Sequence, residues 1–296
     1  MIATGTGHPL ETEQPPAGPP NPLEVRRRWL ASPRGRLHGV WCGVIGSLLL
    51  CGTAIAMLGL ALVTGFRRRR LYAETLGRWL ALATLRVAGV ELLVHRSRPF
   101  PERQTIYISN HTSTLDVFIL LALGLPNSRY FLSGYLRKIL PLGLIGYLIG
   151  IFYTPPQTKP QERVRCFRRA ERVLRRTGES VYLSPEGMRV TTGHLGSFNK
   201  GTFHLATRLR APILPLYIDI PPEVNPGMGY RTMPGTVHVY TLPEIPTDGW
   251  KLEELVENKE RIRNILLRFE TDLRSGRVNG SGTEDSRASD QQGGLR

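Results

Sequence analysis

The sequence is poor in cysteine, with three in 296 residues. Cys42 and Cys51 fall in an apolar run and Cys166 stands among arginines, which excludes a disulfide framework and a cysteine-built zinc site. Nucleic-acid signatures are missing: there is no helix-turn-helix pattern, no Cys/His finger and no aromatic RNP box. The Gly-x-Ser-x-Gly elbow of a nucleophilic-serine hydrolase is also absent. No stretch of the chain repeats another. Acidic residues are few, 24 against 39 lysines and arginines, so the formal charge is +15. That balance points to anionic partners. Hydrophobic residues make up 41%, enough for a packed core, which excludes a mostly disordered chain.

Much of the positive charge is clustered. Arg26, Arg27, Arg28, Arg34 and Arg36 precede a run over residues 39–66 that holds no charged side chain, and Arg67, Arg68, Arg69 and Arg70 follow it. A membrane crossing needs about 20 apolar residues, so the run is long enough. It starts too late and ends too basically for a signal peptide. Two geometries fit the excess length: one tilted span, or a re-entrant hairpin bending near Gly52 and Thr53. A second apolar stretch, 76–94, carries Trp79, Leu80, Ala83, Leu85 and Val87 on one face with Arg78 and Arg86 breaking it. It fits a helix lying on the bilayer, or one packed on the domain. From Val90 the pattern turns strand-like.

Residues 1–22 and 275–296 are rich in small and polar residues without an apolar period, and both read as disordered tails. Residues 23–74 form the basic-flanked anchor. Over 75–274, short β-branched runs at 104–109, 129–133, 149–153, 180–184, 212–219 and 236–241 alternate with helical periods. Residues 159–177 place Val164, Phe167, Val173 and Leu174 on one side and seven arginines mostly on the other. Residues 250–274 repeat Leu252, Leu255, Val256, Ile262, Ile265, Leu266 and Phe269 at helical spacing. This alternation predicts an α/β domain, a mixed sheet flanked by helices, behind an N-terminal membrane-anchoring helical segment.

The chemistry concentrates at strand ends. Asn110-His111-Thr112-Ser113-Thr114-Leu115-Asp116 follows the strand 104–109. Ser113 or Thr112 is placed to cap a helix with Asp116 in its first turns, so the carboxylate can fold back to the imidazole of His111. A base needs this arrangement: one ring nitrogen takes the hydroxyl proton, and the carboxylate holds the other N–H and steadies the imidazolium. The spacing alone is a weak signal, equally met by a polar turn at a helix cap. Ser184-Pro185-Glu186-Gly187-Met188-Arg189 follows the strand at 180–183. A Pro-Glu-Gly turn there aims a carboxylate and a guanidinium off the sheet edge. Arg189 is suited to hold a phosphate by forked hydrogen bonds, and Glu186 to accept from a glycerol-like hydroxyl or orient Arg189. A solvated surface ion pair fits that turn equally well. Further on, Lys200-Gly201 precedes a helix start, and Pro212-Ile213-Leu214-Pro215 reads as a proline-bracketed strand.

Taken in order, His-x-x-x-x-Asp, then Gly150-Ile151-Phe152-Tyr153 in the place of a Gly-x-x-Phe block, then Pro-Glu-Gly-x-Arg, Lys-Gly and Pro-Ile-Leu-Pro resemble the glycerophospholipid acyltransferase family, whose best-known members are the 1-acyl-glycerol-3-phosphate acyltransferases. The match covers roughly 75–245. The resemblance implies a membrane-bound enzyme that moves a fatty acyl group from acyl-CoA or acyl-ACP to a lysolipid hydroxyl, without metal or organic cofactor. It implies His111 as base and Asp116 as its orienter, with Glu186, Gly187 and Arg189 binding the acceptor and Lys200 at the Lys-Gly position. Since such donors are cytosolic, it implies a catalytic domain facing the cytosol at the inner or plasma membrane. The sequence departs from the family pattern on the acceptor side. Pro155 stands where an arginine is usual, Ser184 and Met188 where Phe and Thr are common, and Phe131 to Leu136 lack the usual Lys-Glu pair. Lysophosphatidic acid and another lysolipid, such as a lyso-ornithine lipid, both stay open as acceptors. The loss at 155 also admits a silent lipid-binding homologue, against which the intact His111/Asp116 pair speaks.

Overall fold

A computed structural model describes residues 20–192, 194–227, 229 and 231–277. Most of both expected tails, and Gly193, lie outside the described residues. The inner tail borders are ordered: helix α1 (Pro22–Ala31) starts at Pro22, where the Asn21 side chain accepts the Leu23 N–H.

Seven strands form one sheet in the order β1-β7-β6-β2-β5-β3-β4. They are β1 (Val90–His95), β2 (Ile106–Ser109), β3 (Ser128–Ser133), β4 (Phe152–Thr154), β5 (Ser180–Tyr182), β6 (Ile213–Asp219) and β7 (Gly235–Thr241). All neighbours run parallel except β6 and β7. The expected mixed α/β sheet is present.

Side chains alternate across a strand, so each central strand feeds two cores. Tyr107, Tyr182, Leu214, Leu216, Val237 and Val239 point to one. Ile106, Ile108, Val181, Leu183, Ile213 and Tyr217 point to the other. The first layer is closed by α4 (Arg78–Val87), α5 (Asp116–Ala122) and α6 (Leu140–Ile149), through Leu80, Leu85, Ile119, Leu120, Ile145 and Leu148. The second is closed by α7 (Pro160–Thr177), α8 (Gly201–Leu209) and α9 (Leu255–Arg274), through Ala170, Leu174, Phe203, Ile262 and Leu266. Three expected core positions fall outside: Val164 is exposed on α7, Val256 is exposed on α9, and Leu252 is exposed because α9 starts only at Leu255.

The apolar run forms one helix, α2 (Pro33–Val63), capped by Ser32 Oγ on the Gly35 N–H. Its 31 residues span about 45 Å. By length and composition it is able to cross a membrane. The re-entrant hairpin is not formed. The helix continues through Gly52 and Thr53 because no proline interrupts it and Thr53 and Ala54 are pressed against the domain. Ala54, Met57 and Ala61 share the core that holds Leu80, Leu85, Ile145 and Leu148. The opposite face leaves Val44, Leu48, Ile55 and Leu62 exposed. A short helix α3 (Arg69–Tyr72) and a π-helical turn (Ala73–Gly77) lead from α2 into α4. Helix α4 packs on the domain, since Leu80, Ala81 and Leu85 are buried; only Trp79 and Leu82 of its apolar face stay exposed.

Candidate active site

Strands β2 and β5 are parallel neighbours, so their carboxyl ends open on the same sheet edge. Ligands of α/β sheets gather at this edge. The chain leaves β2 at Ser109 and turns through 110–115 before α5 begins at Asp116. Asn110 fixes the exit. Its side-chain oxygen accepts the Ile218 N–H and its amide donates to Ile218 O, both at 2.8 Å, so a side chain extends the pairing with β6.

Asp116 is buried and His111 half-buried. Asp116 Oδ2 accepts from His111 Nδ1 at 2.6 Å and from the Thr112 and Ser113 N–H groups at 3.0 Å each. Three donors thus fold the 111–116 turn around one carboxylate oxygen. With Nδ1 engaged by Asp116, Nε2 is the ring nitrogen left for a substrate proton. The expected cap differs in detail. Ser113 Oγ accepts the Leu115 N–H within the turn, and α5 starts later because Asp116 itself gathers the preceding amides.

Glu186 lies at the end of β5 and is buried. Its Oε2 accepts the His111 N–H and its Oε1 the Gly196 N–H, both at 2.6 Å. Burial pushes its carboxyl above the usual range, against the pull of these two donors. His111 O in turn accepts the Val190 N–H at 2.8 Å, so the 186–190 turn grips residue 111 on both sides. Glu186 thus braces the backbone of His111. Arg189 does not reach it, and donates from Nη1 to Gly227 O at 3.2 Å.

Gly187 has φ +70°, and a Cβ there would meet Asn199 Nδ2 at 2.6 Å. Asn199 uses that nitrogen to hold Glu186 O. Lys200 sits exposed at the start of α8, beside Asn199. Among the described residues, Arg189 and Lys200 make no hydrogen bond to the His111–Asp116 pair, and both are exposed. Where Pro155 replaces the usual arginine, another guanidinium is present. Arg163, from the first turn of α7, donates to Pro155 O at 3.1 Å, and its Nη2 lies 3.6 Å from where a Gly187 Cβ would be.

Four further residues support the site without a sequence signal of their own, save that Asn110 is a polar side chain at the end of a buried strand. Besides Asn110, α9 supplies Arg263, which donates to Gly196 O and Leu195 O, and Glu270, which accepts the Leu195 N–H. They hold the segment that holds Glu186. Gly227, at φ +94°, lets the β6–β7 connection approach Thr112 O.

Comparison with known proteins places this fold beside acyltransferases. The Acyltransferase family model matches residues 91–219. The chain is 28% identical over 186 residues to the chloroplastic 1-acyl-sn-glycerol-3-phosphate acyltransferase BAT2 of Brassica napus, covering 61% of this chain and 53% of that one. It is 29% identical over 242 residues to the human 1-acyl-sn-glycerol-3-phosphate acyltransferase beta, covering 79% and 86%. The chain thus spans about half the length of the plant relative. Its fold is similar to that of the 1-acyl-sn-glycerophosphate (LPA) acyltransferase PlsC of Thermotoga maritima, with a TM-score of 0.70 at 20% identity, covering 84% of this chain and 98% of that one.

Proposed function

Because this chain belongs to the glycerophospholipid acyltransferase family, we propose that it is a membrane-attached O-acyltransferase acting on 1-acyl-glycerol-3-phosphate to give phosphatidic acid. The observation that carries the reading is the 2.6 Å His111–Asp116 hydrogen bond at the sheet's carboxyl edge, which leaves Nε2 as an acceptor.

In the reaction, Nε2 of His111 takes the proton of the acceptor hydroxyl as its oxygen attacks the thioester carbonyl. Asp116 keeps the tautomer and offsets the imidazolium charge. The tetrahedral oxyanion collapses, the C–S bond breaks, and the thiolate of CoA or the carrier protein leaves with the proton from Nε2. The products are the ester and the free thiol. The oxyanion needs N–H donors. Pro185 has none, and the Gly187 N–H donates to Ser184 O, which leaves the amides of Glu186 and Met188 for this role.

Arg189 and Arg163 support a phosphorylated acceptor over a lyso-ornithine lipid. Arg163 brings a guanidinium beside the Pro-Glu-Gly turn although residue 155 is proline. Glu186 and Gly187 shape the turn, and Lys200 adds positive charge at the rim. For the membrane, the exposed face of α2 and the exposed Leu140 and Tyr147 of the adjoining α6 supply apolar area, and the flanking arginines suit anionic headgroups. The catalytic domain then faces the cytosol, where acyl-CoA and acyl-ACP are found.

Purified enzyme in phospholipid vesicles, given radiolabelled acyl-CoA, tests the acceptor. Labelled phosphatidic acid from lysophosphatidic acid is expected, with far slower labelling of lyso-ornithine lipid. The reverse preference would overturn the assignment.

A further inference from the structure

Arg26 lies on α1, the helix that leads into the membrane segment, yet it is only 7% exposed. Its guanidinium points into the β6–β7 connection. Nη1 donates to Val224 O at 2.8 Å and to Glu223 O at 3.3 Å, and Nη2 donates to Arg231 O. One planar fork thus gathers carbonyls from both limbs of the same connection. Nearby, Gly39 of α2 lies against the Arg231 guanidinium.

The same connection reaches the catalytic turn. The Gly227 backbone approaches Thr112 O so closely that a Cβ would stand 2.3 Å from it. Gly227 O accepts from Arg189, and Gly229 O accepts from Thr114 Oγ1 at 2.9 Å. Inside the connection, Val224 O also accepts the Met233 N–H, and Asn225 Oδ1 accepts the Gly227 N–H at 2.8 Å. One connection is therefore tied to α1 at Glu223, Val224 and Arg231, and to Arg189 and the turn of His111 at Gly227 and Gly229.

We propose that Arg26 is a positioning residue through which the anchor helix holds the β6–β7 connection against the active site and so sets Arg189 for the acceptor. The part concerning Arg189 rests on its reading as the phosphate ligand. The chemistry requires arginine: a lysine ammonium is a point charge and does not reproduce a planar fork bridging carbonyls of two limbs. Burial of a charged group is tolerated only where such donors are satisfied. Arg26 therefore differs from its neighbours Arg27 and Arg28, which are exposed and free to meet headgroups.

The test compares full-length wild type, Arg26→Ala, Arg26→Lys and the exposed control Arg27→Ala, all in vesicles of one lipid composition. Amide hydrogen exchange at Gly227 and Met233 reads the tie directly, whatever the substrate is. Both amides are expected to exchange faster in Arg26→Ala and Arg26→Lys and to match wild type in Arg27→Ala. Kinetics read the consequence. The acceptor KM should rise at least roughly ten-fold in both Arg26 variants, the donor KM should hold, and guanidinium added to Arg26→Ala should lower the acceptor KM again. Vesicle co-sedimentation is expected to be equal for all four proteins. Unchanged exchange overturns the tie. Faster exchange with acceptor and donor KM affected alike, or a fall in kcat alone, overturns the positioning of Arg189. An Arg26→Lys protein indistinguishable from wild type overturns the fork.

Discussion

The carboxylate of Glu186 accepts the main-chain N–H of His111 at 2.6 Å, across 75 residues of sequence. Its second oxygen holds Gly196 at the same distance. Glu186→Gln keeps one accepting oxygen and sets an NH2 against a backbone N–H. A fold less stable by about 1–3 kcal/mol is expected, together with a lower kcat as the His111 turn shifts. Thermal melts and turnover of the purified variant check both.

The same group gives a pH dependence with a definite sign. Burial raises the Glu186 carboxyl above its ordinary 4.5, so the folded chain binds that proton more readily than the unfolded chain. Its favourable contribution is full below the ordinary value and is lost as pH rises through the raised one. Glutamine does not titrate. The stability of wild type relative to Glu186→Gln should therefore be greatest in acid and decline as pH rises toward neutrality, in melts of the two proteins run side by side. A difference that grows with pH contradicts this.

How far the sequence carried the reading depends on chain distance. His111 and Asp116 are five residues apart, and the tightness of a helix's first turn makes their meeting a local matter. The strand ends before His111 and Glu186 were likewise visible in short β-branched runs. The sequence places Glu186 at the site but does not show its bonds to His111 and Gly196, because these depend on which strands become neighbours. The Asn110 clamp on Ile218, Arg263 on Gly196 and Arg26 on Val224 join still more distant residues. No periodicity or turn signal encodes such pairings. The sequence leaves a straight helix and a bend near Gly52 both open for a related reason: packing against α4 and α6 keeps that part of α2 helical.

Arg189 belongs to the Pro-Glu-Gly turn, and the Arg163 guanidinium lies 3.6 Å from where a Gly187 Cβ would be. Replacing either by alanine should raise the acceptor KM about ten- to a hundred-fold and leave the donor KM close to wild type. Initial rates against each substrate separate the two. Equal effects on both substrates would remove the phosphate role.

Deleting residues 1–64 to obtain a soluble enzyme is expected to fail. Ala54, Met57 and Ala61 of α2 belong to the core that includes Leu80, Leu85 and Ile145, so removing the helix uncovers apolar surface on α4 and α6. The truncated chain should aggregate or stay bound to membranes, as size-exclusion chromatography and membrane fractionation would show. A monodisperse, active soluble protein would mean that α2 is an anchor alone.

Acyl transfer by this chain turns on the proton acceptor. The decisive measurement is acyl transfer from radiolabelled acyl-CoA to lysophosphatidic acid by His111→Ala, at protein levels in the membrane matched to wild type. Activity is expected to fall by about 10²-fold or more, as the loss of a general base requires. Transfer at a substantial fraction of the wild-type rate, with the variant folded and membrane-bound, would contradict the assignment.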